Sequence, residues 1–406
     1  MSQEKIRVSL DFGTSIVKVG QLVEQNQEIY FRFEPSFLES DLDISPFKLK
    51  KTREILPSPR TPFDGLFGVF NDSIPDGWGR LLLDRKLIES GKNSKEISVL
   101  DRLSILGKDA HGALIYEPIT DDGKSENELI NLDQIAQESE DLLKTGNVSF
   151  LDQLYHLGGN SVGARPKILV NHNPKLNQFS TVAKEGFEPW IIKFPALNDF
   201  KDIARIEFAY YKMAIACGIE MSESNLFYSE KGKVFFGSKR FDRIGNQRLH
   251  LHSACGLLHD DFRYSTLDYG HVMDAANRLE NNLSACEKVF RLAVFNVYAS
   301  NMDDHSKNVA FLMTENGNWR LAPAFDLTFS PSPGGYHSLS VGNKYQEIGK
   351  YELLKLASYF RINKGNEIID QIKEVLSNWQ QVSSEIGINK KENQLIEKTL
   401  LVKLAK

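Results

Sequence analysis

The segment Asn301-Met302-Asp303-Asp304-His305-Ser306-Lys307-Asn308, followed by Leu321-Ala322-Pro323-Ala324-Phe325-Asp326, carries the most informative residues of this chain of 406 residues. Asp303 and Asn308 are five positions apart, and Asp326 follows further on. Phosphoryl transfer needs an acidic side chain to accept a hydroxyl proton and oxygen ligands to hold Mg²⁺ against the phosphates. Protein kinases supply these groups with an Asp, an Asn at the same spacing and a later Asp. The pattern predicts a catalytic Asp303 and a metal-binding pair, Asn308 and Asp326.

A β-hairpin is predicted between the two groups of residues. Two strand-like runs, residues 309–313 and 319–321, are joined by Glu315-Asn316-Gly317-Asn318. An Asn-Gly pair between such runs is a strong hairpin signal. The hairpin would return Asp326 to the side of the earlier pair. In isolation the same residues would also suit a polar loop, because Asp and Asn are common in turns.

A glycine-rich segment lies upstream, Gly158-Gly159-Asn160-Ser161-Val162-Gly163-Ala164-Arg165-Pro166-Lys167. Glycines let backbone N–H groups approach phosphate oxygens closely, and Arg165 and Lys167 add positive charge. The segment matches neither of the common phosphate-loop patterns, so an ordinary β-turn is an alternative reading.

Lys193 lies in the apolar run Trp190-Ile191-Ile192-Lys193-Phe194-Pro195, which predicts a buried strand. A lysine there either reaches solvent from an edge strand or meets an anion. Glu207 follows on a helix predicted over residues 203–217, and kinases pair a strand lysine with a helix glutamate in this way. A surface salt bridge is the alternative. The glycine-rich loop, Lys, Glu, Asp-Asn pair and later Asp nevertheless occur in kinase order.

The predicted elements indicate an α+β protein with two lobes and a cleft. Short strands dominate the start of the chain, a mixed region follows, and the end is mostly helical. We predict a protein-kinase-like fold with a β-rich N-terminal subdomain at residues 1–150. The nucleotide-binding part of the N-lobe would occupy residues 151–245, and a helical catalytic C-lobe residues 246–406. Residues 128–143 have the periodicity of an amphipathic helix. Four aromatic residues of the N-terminal subdomain are most simply part of its core: Phe63, Phe67, Phe70 and Trp78.

Composition and charge narrow the class of protein. The formal net charge of −5 argues against general nucleic-acid binding by bulk electrostatics. Cys217, Cys255 and Cys286 lie far apart in the sequence, which indicates reduced, mostly buried thiols of a cytosolic protein. The N-terminus lacks the apolar run of a signal peptide, and no stretch has the roughly 18 apolar residues of a membrane span. We therefore expect a cytoplasmic protein without a membrane partner.

Several motifs together resemble the HipA family of serine/threonine kinases, the toxins of HipA–HipB toxin–antitoxin pairs. The motifs extend over nearly the whole chain. They are PDGWGR (75–80), LG (106–107), HGAL (111–114), GGNSVGARPK (158–167), WIIKFP (190–195), KRFDR (239–243), MDDHSKN (302–308) and LAPAFDL (321–327). The resemblance implies a HipA-like fold and a protein kinase that uses ATP and Mg²⁺.

The resemblance also implies roles for individual residues. Asp303 matches the catalytic aspartate and Asn308 and Asp326 the metal ligands, while Lys193 matches the lysine on the ATP phosphates and Glu207 its helix partner. The further residues implied to contact ATP are Val162, Gly163, Ala164, Arg165, Pro166 and Lys167 of the glycine-rich loop, Lys239, Arg240 and Phe241 of the hinge, His305 and Lys307 of the catalytic loop, and Phe325.

Regulation and partners are implied in the same way. Family members autophosphorylate on a loop serine, which ejects the loop and inactivates the enzyme, and Ser161 is the candidate here. A phosphate adds about −1.5 to −2 charges at neutral pH and would repel ATP. The loop is a glycine shorter than a common form of the family. The best-known substrate of the family is glutamyl-tRNA synthetase, and its partner is a HipB helix-turn-helix antitoxin that binds operator DNA.

Three other interpretations stay open. Asp11-Phe12-Gly13-Thr14-Ser15 resembles the first phosphate loop of actin-fold small-molecule kinases, although a hairpin turn is the preferred reading. A pseudokinase that binds an antitoxin and regulates transcription would have the same fold, although the intact set of Lys193, Asp303, Asn308 and Asp326 favours catalysis. His250, His252 and Cys255 offer three possible metal ligands, although structural packing explains them more simply.

Overall fold

A computed structural model describes residues 5–89, 91, 97–119, 129–146, 149 and 151–405. The N-terminal part forms an antiparallel sheet in the order β4-β3-β2-β1-β5. Its strands are β1 (Lys5–Asp11), β2 (Ile16–Gln25), β3 (Glu28–Phe33), β4 (Leu56–Pro57) and β5 (Leu114–Glu117). The turn after β1 contains Gly13 at a φ of +79°, a conformation that favours glycine. The segment from Asp11 to Ser15 is therefore a hairpin turn, as preferred from the sequence.

The helices of this part are α1 (Pro35–Leu38), α2 (Gly68–Asn71), α3 (Gly77–Glu89) and α4 (Val99–Leu106). Buried residues of α1, α2 and α4 belong to the core of the N-terminal sheet, whereas those of α3 belong to the core of the second sheet. Helix α4 begins at a capping box in which Ser98 and Asp101 each accept a hydrogen bond from the other's backbone N–H. Phe63, Phe67 and Phe70 pack in the core with apolar side chains of the sheet, as predicted.

The middle of the chain forms a second antiparallel sheet in the order β7-β6-β8-β10-β9. Its strands and helices are β6 (Lys167–Asn173), β7 (Gln178–Ser180), β8 (Glu188–Lys193), β9 (Ser224–Tyr228), β10 (Val234–Lys239), α5 (Leu132–Thr145), α6 (Leu151–Gly158) and α7 (Ile203–Ala216). Trp78 of α3 packs in the core of this sheet, not in the N-terminal core where the sequence placed it, because α3 lies against α6. Residues from both sides of position 150 share this core.

The C-terminal part is mostly helical. Its helices are α8 (Ala254–Leu258), α9 (Tyr269–Glu280), α10 (Leu283–Tyr298), α11 (Lys350–Tyr359), α12 (Gly365–Ser377), α13 (Trp379–Ile386) and α14 (Lys390–Leu404). Its strands are the hairpin β11 (Arg243–Ile244) and β12 (Gln247–Arg248), and the sheet of β13 (His250–Ser253), β14 (Ala310–Met313) and β15 (Trp319–Leu321). Helix α7 also packs here, since Ile206 and Tyr210 lie in the C-terminal core.

The architecture confirms the predicted fold class, with a β-rich N-terminal region and a helical C-terminal lobe. The hairpin of β14 and β15 is present, and Gly317 in its turn has a φ of +78°. The helix predicted over residues 128–143 begins later, at Leu132, because Asn131 caps it through hydrogen bonds from the next backbone N–H groups. Residue 128 lies outside the described residues.

Two expectations from composition can be compared with the structure. The three cysteines are free and buried, as predicted. Among the helices of the described residues, none has both the length and the apolar character needed to cross a bilayer.

Candidate active site

Lys193, the last residue of β8, lies between two carboxylates. In the sheet it is opposite Lys167 of β6 and Phe236 of β10. Its Nζ donates hydrogen bonds to Oε1 of Glu207 on α7 and to Oδ1 of Asp326. The Lys–Glu pair expected from the sequence is therefore present, and the structure adds Asp326 to it.

Burial and neighbouring charges shift the pKa values of these three residues in different ways. Burial lowers the pKa of Lys193, but Asp326 and Glu207 outweigh it and raise the value to about 12. Burial also opposes the charge of Asp326, yet Lys193 and Lys167 hold the pKa of this carboxyl well below its usual range. For Glu207, whose side chain is 3% exposed, burial prevails and the pKa is raised. Of the two carboxyl groups, Asp326 is therefore the one whose charged form the site favours.

The backbone at Asp326 adopts a left-handed conformation with a φ of +60°. Positive φ is uncommon outside glycine and is enriched at functional sites. The residues before it are fixed, because the Ala324 N–H donates to the Glu220 carbonyl at 2.7 Å and the Phe325 ring lies 5.4 Å from the ring of Phe241. The hairpin therefore delivers Asp326 to Lys193 in a defined orientation.

Asp303 and Asn308 belong to one short loop after α10. The Asn308 Nδ2 donates to the Asp303 carbonyl at 2.8 Å, which closes the loop and leaves the amide oxygen available. The Asp303 side chain is 64% exposed, and its Oδ1 lies 3.7 Å from Nε2 of His305. The loop thus presents a carboxylate to solvent beside a fixed amide.

Asp304, a buried residue of the same loop, holds the loop in place. Its carboxylate accepts hydrogen bonds from the Tyr269 hydroxyl at 2.8 Å, from Nδ1 of His337 at 2.9 Å and from the Ser338 N–H at 2.8 Å. Its side chain is 1% exposed. Three donors on one buried carboxylate hold it, and with it the loop, in one position. The sequence reasoning missed Asp304, although its position directly beside Asp303 was a usable signal.

The second half of the loop contains Lys307. Its Nζ donates to Oδ2 of Asp76 at 2.5 Å and lies 4.5 Å from the centre of the Phe262 ring. The preceding Ser306 donates to Oδ2 of Asp260 at 2.5 Å. Lys307 is therefore held by a residue of the N-terminal region, which the sequence reasoning did not assign to the site. Asp76 belongs to the PDGWGR motif, which was the available signal.

The glycine-rich loop, residues 158–167, is folded inward. Lys167 Nζ donates to the Val162 carbonyl at 2.6 Å, and Arg165 Nε donates to both carboxylate oxygens of Asp199 at 3.1 Å. The Ser161 side chain is fully buried, and its hydroxyl donates to the Gly158 carbonyl at 2.6 Å. The rest of the turn between Val162 and Lys167 consists of Gly163, Ala164 and Pro166.

The predicted hinge residues have partners of their own. Lys239 Nζ donates to Glu188 at 2.6 Å. Arg240 pairs with Asp242 through bonds of 2.9 and 2.7 Å, and Phe241 lies in the small core that also contains Phe325. Asp242 also accepts from the Gly112 N–H at 2.9 Å and pairs with Arg243. The structure brings Phe241 to Phe325, whereas Lys239 and Arg240 are engaged in ion pairs.

The donor chemistry of Asn308 and Asp326 suits Mg²⁺, which prefers oxygen ligands and keeps several waters. No cluster of three or more His, Cys, Asp or Glu side chains with metal-binding geometry occurs among the described residues. A site with one carboxylate and one amide would leave the remaining positions to phosphate oxygens and water.

His250 and His252 have structural partners. Nε2 of His250 bonds to the Ile44 carbonyl at 2.9 Å, and His252 contacts Ser45 and Asp72 at 3.0 and 2.7 Å. The Cys255 thiol donates to the Asp260 carbonyl at 3.0 Å. These residues join the N-terminal region to the C-terminal lobe, which supports the packing interpretation.

A β-sheet lobe with a strand lysine paired to a helix glutamate, above a helical lobe with an Asp-Asn loop and a later Asp, defines a kinase-like protein. Two protein families match the sequence: the HipA N-terminal domain over residues 12–117 and the HipA-like C-terminal domain over residues 160–379. The second match covers more than half of the chain. The chain belongs to the HipA family.

Solved structures allow the fold to be compared. A HipA chain from the Shewanella oneidensis MR-1 HipA, HipB and operator DNA complex superimposes with a TM-score of 0.67 at 17% sequence identity. The superposition covers 98% of this chain and 96% of that chain. The fold is therefore shared over essentially the full length. The Helicobacter pylori proinflammatory kinase CtkA is 16% identical, covers 59% of this chain and 90% of its own, and has a TM-score of 0.40.

One protein of similar sequence has a name that refers to an activity. A Haemophilus influenzae protein called "Putative kinase" is 26% identical over 243 residues. The alignment includes 56% of this chain and 66% of the relative, slightly less than two thirds of its length.

Proposed function

We propose that this protein is an ATP- and Mg²⁺-dependent kinase that phosphorylates serine or threonine residues of a protein target. The observation that carries the proposal is the position of Lys193 between Glu207 and Asp326. Kinases require the strand lysine, its helix partner and the metal-binding aspartate to be in place together. Here Lys193, Glu207 and Asp326 meet in one site.

Each residue would then have a defined task. Asp303, exposed on its loop, would accept the proton of the substrate hydroxyl. Asn308 and Asp326 would hold the metal ion, which neutralises charge on the phosphates when it is bound. Lys193 would hold the α- and β-phosphates, and Lys307 would add a second cation at the transferred group.

The remaining predicted contacts belong to the nucleotide. Residues 162–167 of the glycine-rich loop would cover the phosphates with backbone N–H groups. The aromatic pair Phe241 and Phe325 would contribute the apolar surface for adenine, with Lys239 and Arg240 beside it. His305, next to Asp303, would contact the phosphates from the catalytic loop.

Autophosphorylation of Ser161 is part of the proposal. Since this hydroxyl is fully buried and bonded to the Gly158 carbonyl, the loop must leave its inward position before phosphate can be transferred. The added charge would then oppose return of the loop to a site that binds ATP phosphates.

Partners are proposed from relatives. The Shewanella HipA structure contains HipB and operator DNA, and we propose a HipB-like antitoxin, and DNA through it, for this chain. An aminoacyl-tRNA synthetase such as glutamyl-tRNA synthetase is the proposed protein target, and the cytoplasm the proposed location.

Transfer of labelled phosphate from ATP with Mg²⁺ tests the function. Wild type should label itself at Ser161, Ser161→Ala should lose that site, and Asp303→Gln should lose all label. Before incubation, mass spectrometry should establish that the wild type is unphosphorylated. No label and no ATP turnover with wild type, with or without glutamyl-tRNA synthetase, would favour a pseudokinase that binds an antitoxin.

A further inference from the structure

Residues 76–79, which lead into α3, lie directly against the glycine-rich loop. The Trp78 N–H donates to the Gly163 carbonyl at 2.9 Å, and Nε1 of Trp78 donates to the Lys167 carbonyl at 3.1 Å. The N-terminal region therefore contacts both the middle and the end of this loop through defined hydrogen bonds.

The backbones approach too closely for larger residues. A Cβ added at Gly77 would lie 2.6 Å from the Gly163 carbonyl oxygen, and one added at Gly79 would lie 2.3 Å from the Ser161 carbonyl oxygen. Cβ atoms do not occur at such distances, so a substitution at either glycine must move the loop. Residues 76–79 and the loop thus fit as one unit.

Asp76 is the charged centre of this contact. Its Oδ1 accepts the Gly163 N–H at 2.5 Å, and its Oδ2 accepts Lys307 Nζ at 2.5 Å. Both side chains are largely buried, with 19% of Asp76 and 11% of Lys307 exposed. One carboxylate therefore ties together the glycine-rich loop, the catalytic loop and the N-terminal region.

We propose that Asp76 is a positioning residue that holds the glycine-rich loop inward over the site and orients Lys307 towards the transferred phosphate. The part concerning Lys307 rests on the proposed kinase function, whereas the part concerning the loop rests on geometry alone. Charge-assisted hydrogen bonds are about twice as strong as neutral ones, so Asp76 is suited to fix both elements. Lys307 has further N–H groups, which are free to bind phosphate while Asp76 holds one.

Burial would raise the pKa of Asp76, but Lys307, the Gly163 N–H and Lys167 outweigh it and lower the value. The carboxylate is therefore charged when it contacts the loop. Asp76→Asn keeps the size of the side chain but places a neutral amide between a backbone N–H and an ammonium group.

Hydrogen exchange without nucleotide tests the loop contact independently of any activity. In Asp76→Asn, amide exchange within residues 158–167 should rise about tenfold or more, as expected for loss of a hydrogen bond to a charged group. The matched control is Asp84→Asn on α3, which removes ion pairs with Arg80 and Arg102, neither of which belongs to the loop. Loop exchange that is equal in Asp76→Asn, Asp84→Asn and wild type would overturn the proposal.

A second variant covers the case in which Asp76→Asn does not fold. Gly79→Ala adds a methyl group inside α3, where alanine is favoured, so its effect falls on the loop through the Ser161 carbonyl. It should raise amide exchange within residues 158–167, because the added methyl group displaces the loop backbone. Unchanged loop exchange in this variant would equally count against the contact.

A double-mutant cycle tests the role of Asp76 through Lys307. Asp76→Asn should lower kcat for phosphate transfer about tenfold in the wild-type background and by a smaller factor in Lys307→Ala, where only the contact with the loop is lost. Equal losses in both backgrounds would mean that Asp76 does not act through Lys307. If wild type has no turnover, the kinase function and the proposed orientation of Lys307 fail, while hydrogen exchange still decides the loop contact.

Discussion

Asp303 and Asp304 are adjacent in the chain, yet 64% of the first side chain is exposed and only 1% of the second. The buried carboxylate is bound by Tyr269, His337 and the Ser338 N–H, so it fixes the loop. The exposed carboxylate is accessible to a substrate, as the proposed function requires. One acid thus holds the loop and its neighbour is the proposed proton acceptor, and the two roles can be measured separately.

Asp303→Asn should separate activity from stability. The side chain is exposed, so its replacement should change the free energy of unfolding by no more than about 0.5 kcal/mol. Loss of the proposed proton acceptor should lower phosphate transfer by about 10² or more. Chemical denaturation and labelled-ATP assays on the same preparation measure both quantities. Wild-type activity in this variant would remove Asp303 from the mechanism.

Asp304→Asn, in contrast to Asp303→Asn, should lower the free energy of unfolding. The substitution leaves part of a buried hydrogen-bond network unsatisfied and should cost about 2 to 4 kcal/mol of unfolding free energy. Activity should fall as well, because the loop that carries Asp303 loses its anchor. Urea denaturation beside Asp303→Asn provides the comparison, and a stability equal to that of Asp303→Asn would contradict this assignment.

Lys193→Met should leave Glu207 and Asp326 without their shared cation. Breaking a buried ion pair by removing one partner typically costs about 3 to 5 kcal/mol. Adding Glu207→Gln to Lys193→Met removes the most buried of the stranded charges, so part of the stability should return while phosphate transfer stays absent. Unfolding curves and turnover of both variants test this. A double variant less stable than the single one would show that the carboxylates do not depend on Lys193.

Ser161→Cys allows the position of the glycine-rich loop to be measured by thiol labelling. The three native cysteines are free and buried, so a thiol reagent should report mainly on the introduced thiol. Because Ser161 is buried, labelling of that thiol without ATP should be slow and should accelerate when Asp76→Asn is added. Rapid labelling of the single variant, at the rate seen in the unfolded protein, would mean that the loop is not held inward.

His250 should make the protein sensitive to acid. Burial lowers its pKa from 6.5 to about 3, and its ring is fully enclosed. Between these values the unfolded chain binds a proton that the folded chain does not, so stability falls as the pH falls. At pH 5 the loss should be about 2 kcal/mol relative to pH 7. Denaturation at both pH values should give a smaller loss for His250→Gln, whereas His156→Gln on the surface serves as control.

The order of the kinase-like elements was predictable because each has a local sequence signal. The Asn-Gly turn at residues 316–317 predicted the hairpin, and a lysine within an apolar run predicted the strand that ends at Lys193. Asp303, Asn308 and Asp326 remain predictions as catalytic and metal-binding residues, although the structure places them on the expected loop and hairpin. Such local signals predict structure correctly because turns and strands depend mainly on residues that are close in sequence.

Partners distant in sequence were not predictable. Asp76 meets Gly163 and Lys307 only because α3 packs on α6, and nothing in the local pattern indicates that contact. Trp78 was placed in the wrong core for the same reason. Lys239 and Arg240 were assigned by resemblance, and their ion pairs with Glu188 and Asp242 depend on sheet register and on the fold of the hinge.

Asp242 and its neighbours restrict how the cleft can move. The hinge carboxylate is bound to the Gly112 N–H, and Arg243 and Arg248 donate to the Gly112 carbonyl at 2.9 and 3.0 Å. The N-terminal region also grips the C-terminal lobe through His252 and Asp72 and the glycine-rich loop through residues 76–79. It therefore bridges both lobes and opposes a change in the angle between them. If nucleotide binds in the cleft as proposed, we expect it to leave by displacement of the glycine-rich loop rather than by rotation of the lobes.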